Sequence, residues 1–208
     1  MAESGVNNGR RRFLLASTSV MGAVGVVAAT IPLVAYWRPS ARARAGGAPV
    51  RADISKLAAG QQLTLAWQGR PVSVIRRSPA MIARTRDLDP ARLRDPHSRA
   101  PQQPGYAGGA LRAIRPEIGV LIGVCTHLGC SPNFHPEPGV DEFGRDRSGR
   151  DRSGRDWPGG YFCPCHGSRF DLAGRVFRDM PATLNLVVPP HRYESEQVVV
   201  IGEDEAAG

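Results

Sequence analysis

Two short stretches concentrate the residue types that bind metals: Cys125-Thr126-His127-Leu128-Gly129-Cys130 and Cys163-Pro164-Cys165-His166-Gly167-Ser168. Together they use all four cysteines of the chain, and each contributes one histidine. A C-x-H in the first and a C-x-x-H in the second supply two thiolates and two imidazoles, a mixed Cys/His metal set, with two cysteines left over. The same four donors suit a tetrahedral structural zinc. Zinc spacing usually places C-x-x-C in one knuckle and H-x-x-x-H in the other, whereas each loop here mixes the two ligand types, and the second cysteine of each loop has no zinc role. Two ordinary disulfides are the remaining alternative. That reading leaves the histidine positions and the turn glycines Gly129 and Gly167 without a purpose.

The two loops resemble those of the Rieske iron–sulfur proteins, which hold a 2Fe-2S cluster with two histidines replacing two cysteines on one iron. By position, the resemblance implies Cys125 and Cys163 on one iron, His127 and His166 on the other, and a disulfide between Cys130 and Cys165 tying the loops together. It also implies that Ser168 donates to a bridging sulfide and that Leu128 shields the cluster. Met180-Pro181-Ala182-Thr183 resembles a proline-rich covering loop in which Thr183 replaces one proline, so that the loop is less stiff. Phe170 stands where high-potential members carry a tyrosine whose hydroxyl reaches a ligand sulfur; that donor is missing here. Asp53-Ile54-Ser55-Lys56-Leu57, Arg115-Pro116-Glu117, Asp171-Leu172-Ala173-Gly174-Arg175-Val176-Phe177 and Val188-Pro189-Pro190 are similar to proteobacterial bc-complex subunits, so the resemblance covers nearly the whole chain.

The implied function is that of the electron-transfer subunit of a quinol–cytochrome c oxidoreductase, not catalytic alone. One electron, coupled to a proton, would come from ubiquinol or a related quinol beside cytochrome b and pass to a c-type cytochrome, in a complex expected to be dimeric. Charge withdrawal by an oxidised iron acidifies the outer N–H of a ligand imidazole, and reduction reverses this. His166 is the expected quinol contact, with His127 also near the surface. The Rieske subunit of arsenite oxidase is the alternative reading. A ring-oxygenase ferredoxin is disfavoured because those proteins lack a cysteine pair corresponding to Cys130 and Cys165. His97, His135 and His191 have no cysteine at ligand spacing and read as surface residues.

The elements that must position these loops begin with a basic N-terminus, residues 1–12. Arg10-Arg11-Arg12-Phe13-Leu14-Leu15 looks like a twin-arginine signal. The uncharged run 13–37 is long enough to cross a bilayer, which needs about 20 apolar residues, and Pro32 would kink it near its outer end. An uncleaved anchor is expected; Ala41, Ala43 and Ala45 make cleavage the lesser alternative. Arg38, Arg42 and Arg44 compete with the N-terminal cluster as orientation signals. The disulfide implied by the resemblance requires an oxidising compartment and so puts the cluster domain on the periplasmic side of a bacterial inner membrane, behind a single span. Seven arginines of the anchor and its flank account for most of the net charge of +8, Lys56 is the only lysine, and no nucleic-acid motif is present.

Residues 38–50 read as a flexible hinge and 51–208 as one domain, with the cluster-binding part at about 120–184. Alternating apolar residues at 63–67 and 72–75 around Gln68-Gly69-Arg70-Pro71 predict a hairpin, and Ser78-Pro79 predicts a short helix from Pro79 to about Thr85. Residues 87–106, with four prolines, read as loop. Strands are expected at 120–124, 161–162, 186–188 and 197–201. Many short strands and few helices indicate an all-β, antiparallel fold behind one membrane helix. Gly144-Arg145-Asp146-Arg147-Ser148 repeats at 149–153 and begins again at 154–156, and its alternating charges predict a solvated loop.

Overall fold

The computed structural model describes residues 7–40, 47–139 and 157–204. The Gly-Arg-Asp-Arg-Ser repeat and the central part of the expected hinge lie outside the described residues. The chain divides into two compact units, 1–45 and 46–208.

In the first unit one helix, α1, runs Asn8–Tyr36. Asn7 caps it, its side chain accepting from the backbone N–H groups of Gly9 and Arg10 at 3.1 and 3.2 Å. The paired arginines therefore sit in the opening turns of the helix, and the apolar stretch continues from them without a break. Its 29 residues span about 44 Å at 1.5 Å per residue, more than a hydrocarbon core of about 30 Å. Pro32 lies inside the helix, and no residue of α1 is buried.

Among the described residues, the second unit is built from nine strands in three antiparallel sheets. In the first, β1 (Val50–Asp53), β9 (Val198–Ile201) and β8 (His191–Tyr193) lie in the order β1-β9-β8; in the second, β2 (Gln62–Trp67), β3 (Arg70–Arg76) and β4 (Ile118–Ile122) follow in sequence. The third contains β5 (Asn133–His135), β6 (Gly160–Phe162) and β7 (Arg169–Phe170). Helix α2 spans Pro79–Arg86, with Ser78 as its cap and Pro79 at its first position.

The second sheet is a wall between two cores. Successive strand residues point to opposite faces. Val72, Val74, Val120 and Ile122 accordingly pack with Ala52, Ile54, Val199 and Ile201 on one side. Ile75 and Leu121 face the other side, where Cys125, Tyr161, Cys163, Phe170 and Phe177 form the core beneath the two Cys/His loops. A strand buried on both faces reads as a continuous apolar run rather than an alternation. All five residues of β4 are buried, as the run Ile118-Gly119-Val120-Leu121-Ile122 requires.

Several expectations need correction. The hairpin turn is two residues, not four: Gln68 and Gly69 both have positive φ, and Arg70 and Pro71 already pair with Trp67 and Ala66. Two consecutive positive φ values match the twist of the flanking strands, so the shorter turn suffices. The strand expected at 120–124 runs Ile118–Ile122 instead. Residues 186–188 form no strand, because their backbone bonds go to three different places: Leu186 to Gly174, Ile122 to Val187, and Val188 to Gln102. Val50 pairs with Ile201, so the domain begins one residue inside the expected hinge. His191 is 1% exposed, its Nδ1 2.8 Å from the Pro189 carbonyl, and His135 is buried edge-on against Trp157, so neither is a surface residue. Imidazoles need only a backbone or aromatic neighbour to be buried on a strand.

Candidate metal centre

The two ligand loops are built on the same hydrogen-bond scaffold. In the first, the Cys125 N–H donates to Cys130 O at 2.7 Å and the Gly129 N–H donates back to Cys125 O at 3.0 Å. In the second, the Cys163 N–H donates to Ser168 O at 2.8 Å and the Gly167 N–H donates to Cys163 O at 2.9 Å. Each loop thus closes five residues after its cysteine, with a glycine at the fourth. Gly129 and Gly167 have φ of 83° and 75°, and a Cβ at either would meet nothing within 4 Å. The turn, not space, requires glycine there. β4 delivers the first loop and β6 the second, and β7 carries the chain away from the second.

The scaffold sorts the side chains by type. Cys125 and Cys163 are free thiols, each 2% exposed, directed into the core. His127 is half-buried and His166 exposed, their ring centroids 4.8 Å apart and nearly perpendicular. Cys130 and Cys165 are joined by a disulfide linking the loops across 35 residues. The Sγ atoms of Cys130, Cys163 and Cys165 lie within 4.8 Å of one another, but two of these sulfurs are the disulfide, so this trio is not a ligand set. The open donors are the two thiols and the two imidazoles.

Burial pushes the Cys125 thiol up, its contact with the Cys163 thiol adds to this, and the His127 backbone N–H and the Ser168 hydroxyl oppose it. Two adjacent buried sulfurs hold negative charge only if a cation compensates it. That is a site made for metal: soft thiolate donors inside and imidazoles at the rim.

The surrounding residues hold the loops rather than fill space. Ser168 is fully buried, and its Oγ accepts from the Ala182 N–H at 3.0 Å, leaving the hydroxyl proton to the sulfur side. Thr126 Oγ1 donates to Leu184 O at 2.6 Å. The covering segment 180–184 is therefore bonded to both ligand loops, a role for Thr126 that sequence reasoning missed. Asn185 was missed as well: its Oδ1 accepts from the Val176 N–H and its Nδ2 donates to Asp95 O. A lone amide between Leu184 and Leu186 was the available signal. Leu128 is 70% exposed beside His127, and Phe170 is fully buried in the core that includes both free cysteines. Thr183 is exposed.

The second loop rests on a buried ionic turn. Asp171 Oδ1 accepts from the Ala173 and Arg175 N–H groups, and its Oδ2 takes the Arg175 Nε–H at 2.7 Å. Arg77 and Arg112, 2% and 0% exposed, donate to the carbonyls of Leu172 and Ala173 in the same turn. Burial lowers Arg112 to about 10, and Asp171 is the strongest influence holding it up. Gly119 is side-chain-free because Arg77 passes there: a Cβ would lie 2.5 Å from its guanidinium.

Comparison with known proteins gives a consistent result. The family described as "Rieske [2Fe-2S] domain" matches residues 49–190, and the one described as "Ubiquitinol-cytochrome C reductase Fe-S subunit TAT signal" matches residues 1–40. The "Ubiquinol-cytochrome c reductase iron-sulfur subunit" of Allochromatium vinosum is 53% identical over 204 residues, 98% of this chain and 93% of that protein. The protein of the same description from Rhodospirillum rubrum is 38% identical over 198 residues, 95% of this chain and 94% of that protein. Among solved structures, a chain of "Hyperthermophilic respiratory Complex III" is 25% identical with a TM-score of 0.44, covering 88% of this chain and 96% of that one.

Proposed function

Since the chain belongs to the Rieske [2Fe-2S] family, as an iron–sulfur subunit of the ubiquinol–cytochrome c reductase type, we propose that it carries single electrons from a quinol to a c-type cytochrome within such a complex. The observation that carries this reading is the sorting of donors: thiols paired in the core, imidazoles paired at the rim, on two loops of one geometry. Cys125 and Cys163 would hold one iron and His127 and His166 the other. When bound, the cluster supplies a one-electron couple whose reduction makes its imidazole ligands more basic.

The residues of the chain do the rest. His166, the more exposed imidazole, takes the quinol proton at its outer ring nitrogen, and His127 stands next to it for the same role. Leu128 keeps water from the rim. Ser168, fixed through Ala182, donates its hydroxyl proton toward sulfur and favours the more negative reduced state. Cytochrome b and a c-type cytochrome are the partners, in a dimeric complex. Purification from native membranes tests this: b- and c-type haems should accompany the chain, whereas a molybdenum subunit in their place would support the arsenite oxidase reading.

Two expected results follow. Ser168→Ala lowers the midpoint potential and Phe170→Tyr, restoring a hydroxyl near the thiols, raises it. A hydrogen bond with a differential of about 1 kcal/mol corresponds to roughly 40 mV for a one-electron couple. Redox titration of the loaded full chain at fixed pH measures both, and an unchanged midpoint in Phe170→Tyr would show that the ring does not face a thiolate.

For topology, α1 is the single span, 38–50 is the tether, and the cluster domain faces the periplasm, a reading supported by the export signal, the apolar helix and the disulfide. Replacing Arg10 and Arg11 with Lys leaves the domain on the cytoplasmic side. Protease added to spheroplasts then fails to cleave it, and normal cleavage with full activity would refute the twin-arginine route.

A further inference from the structure

Three sulfurs crowd the seam between the ligand loops, and they differ in state. Cys130 and Cys165 are bonded, Cys163 is a free thiol, and all three Sγ atoms fall within 4.8 Å of one another. A thiol held this close to a disulfide is a nucleophile beside its electrophile. Thiol–disulfide exchange then needs no encounter step, only a side-chain rotation that brings the Cys163 sulfur in line with the Cys130–Cys165 bond.

We propose that, whenever the chain lacks its cluster, Cys163 exchanges with the Cys130–Cys165 disulfide. The Cys163 sulfur bonds to the Cys130 sulfur, the Cys130–Cys165 bond breaks, and Cys165 leaves as a thiolate that takes up the proton Cys163 lost. One disulfide and two thiols exist before and after, so no oxidant or reductant is consumed. Cys130 is the atom attacked because it belongs to the opposite loop. A bond from Cys163 to Cys165 would instead close a ring over Pro164 alone, whose φ is fixed.

Exposure gives the exchange a direction. Cys163 is 2% exposed and Cys165 is exposed, so the reaction moves the free thiol from the core to solvent and the disulfide inward. A thiol in water is better solvated than one buried beside Cys125. The consequence for assembly rests on the function proposed above: Cys163 ceases to be available as a ligand, so the cluster must be in place before the disulfide forms. Ligation of Cys163 then withdraws the nucleophile. Assembly is ordered, with cluster insertion first and the oxidation step second, and a chain oxidised before loading is trapped.

The test uses the full chain in detergent, stripped of iron by a chelator without thiol reagents, held anaerobically and sampled with an alkylating reagent after acid quench. Peptide mass mapping, with the label assigned by fragmentation, should show Cys130–Cys163 linkage growing in step with alkylated Cys165. Reloading by ferrous iron and sulfide should fall in the same proportion and recover after prior reduction. In Cys163→Ser the original disulfide persists and Cys165 stays unlabelled. Label confined to Cys125 and Cys163, with Cys130–Cys165 the sole linkage at every time, overturns the proposal. Failure of freshly stripped chain, mapped with its original disulfide, to take up a cluster would instead count against the function reading, leaving the exchange to be judged by the map.

Discussion

The Cys130→Ser/Cys165→Ser double variant should bind a cluster that bleaches at least about tenfold faster than in the parent protein, with all four ligands still in place. A cross-link closing a 35-residue loop removes chain entropy worth about 4 kcal/mol from the unfolded state. A cluster held by Cys125, His127, Cys163 and His166 would bridge the same two loops, so the two cross-links would be partly redundant. The loss therefore falls hardest on the state reached when one ligand lets go. With the disulfide intact the loops remain apposed and the ligand returns; without it, the β5–β6 pairing and the contacts of Ser168 and Thr126 with the 180–184 segment are what hold them among the described residues. Decay of the visible absorption in the presence of a chelator measures the lifetime. Equal lifetimes for the two proteins would remove the clamp from this account.

How much of this was legible in the sequence depended on whether a feature is local. The two Cys/His loops were legible because a metal set calls for those residue types and their turns fix glycine at the fourth place after each cysteine. Helix α2 announced itself through Ser78-Pro79, since the cap and the missing proline donor act within one turn. The β1–β9 pairing was not legible, as its partners lie at opposite ends of the domain and neither strand carries a signal naming the other. The same holds for the two-sided burial of the second sheet: Ile75 and Val74 look alike in sequence but serve different cores. Nothing in the sequence set Arg77 and Arg112 apart from the other arginines, and their burial, like that of Arg175, follows from carbonyls contributed by distant segments.

Those carbonyls explain why charge is buried at all, and they set up the second large effect. Residues 87–106 carry four prolines and, apart from the Leu93–Phe177 bridge, join no strand, so many of their backbone acceptors, like those of the 171–175 turn, have no ladder to join. Every buried backbone polar group needs a partner. Arg112 serves Gln102 O and Ala173 O, Arg175 serves Thr85 O and Pro96 O, and Arg77 serves Leu172 O and Pro116 O. An arginine has five donors in a rigid fork and can join two or three loops at once. The cost is three buried cations, and among the described residues Asp171 is the buried carboxylate that faces them.

Asp171→Ala should therefore destabilise the domain by about 3–5 kcal/mol, the usual consequence of leaving a buried charge without its partner. That is a large part of a typical total of about 5–15 kcal/mol. It removes three hydrogen bonds from the 171–175 turn as well as the charge. Asp171→Asn separates these contributions. Its amide oxygen can keep the two backbone bonds but supplies no charge to Arg175, so it should fall between the parent and the alanine variant. Because β7 enters this turn directly after Ser168, loosening it should also shorten cluster lifetime while leaving the ligands untouched. Denaturant unfolding of the full chain in detergent gives the first quantity and chelator-driven bleaching the second. A loss below about 1 kcal/mol for Asp171→Ala, the scale of a single neutral hydrogen bond, would mean that the guanidiniums are compensated by carbonyls alone.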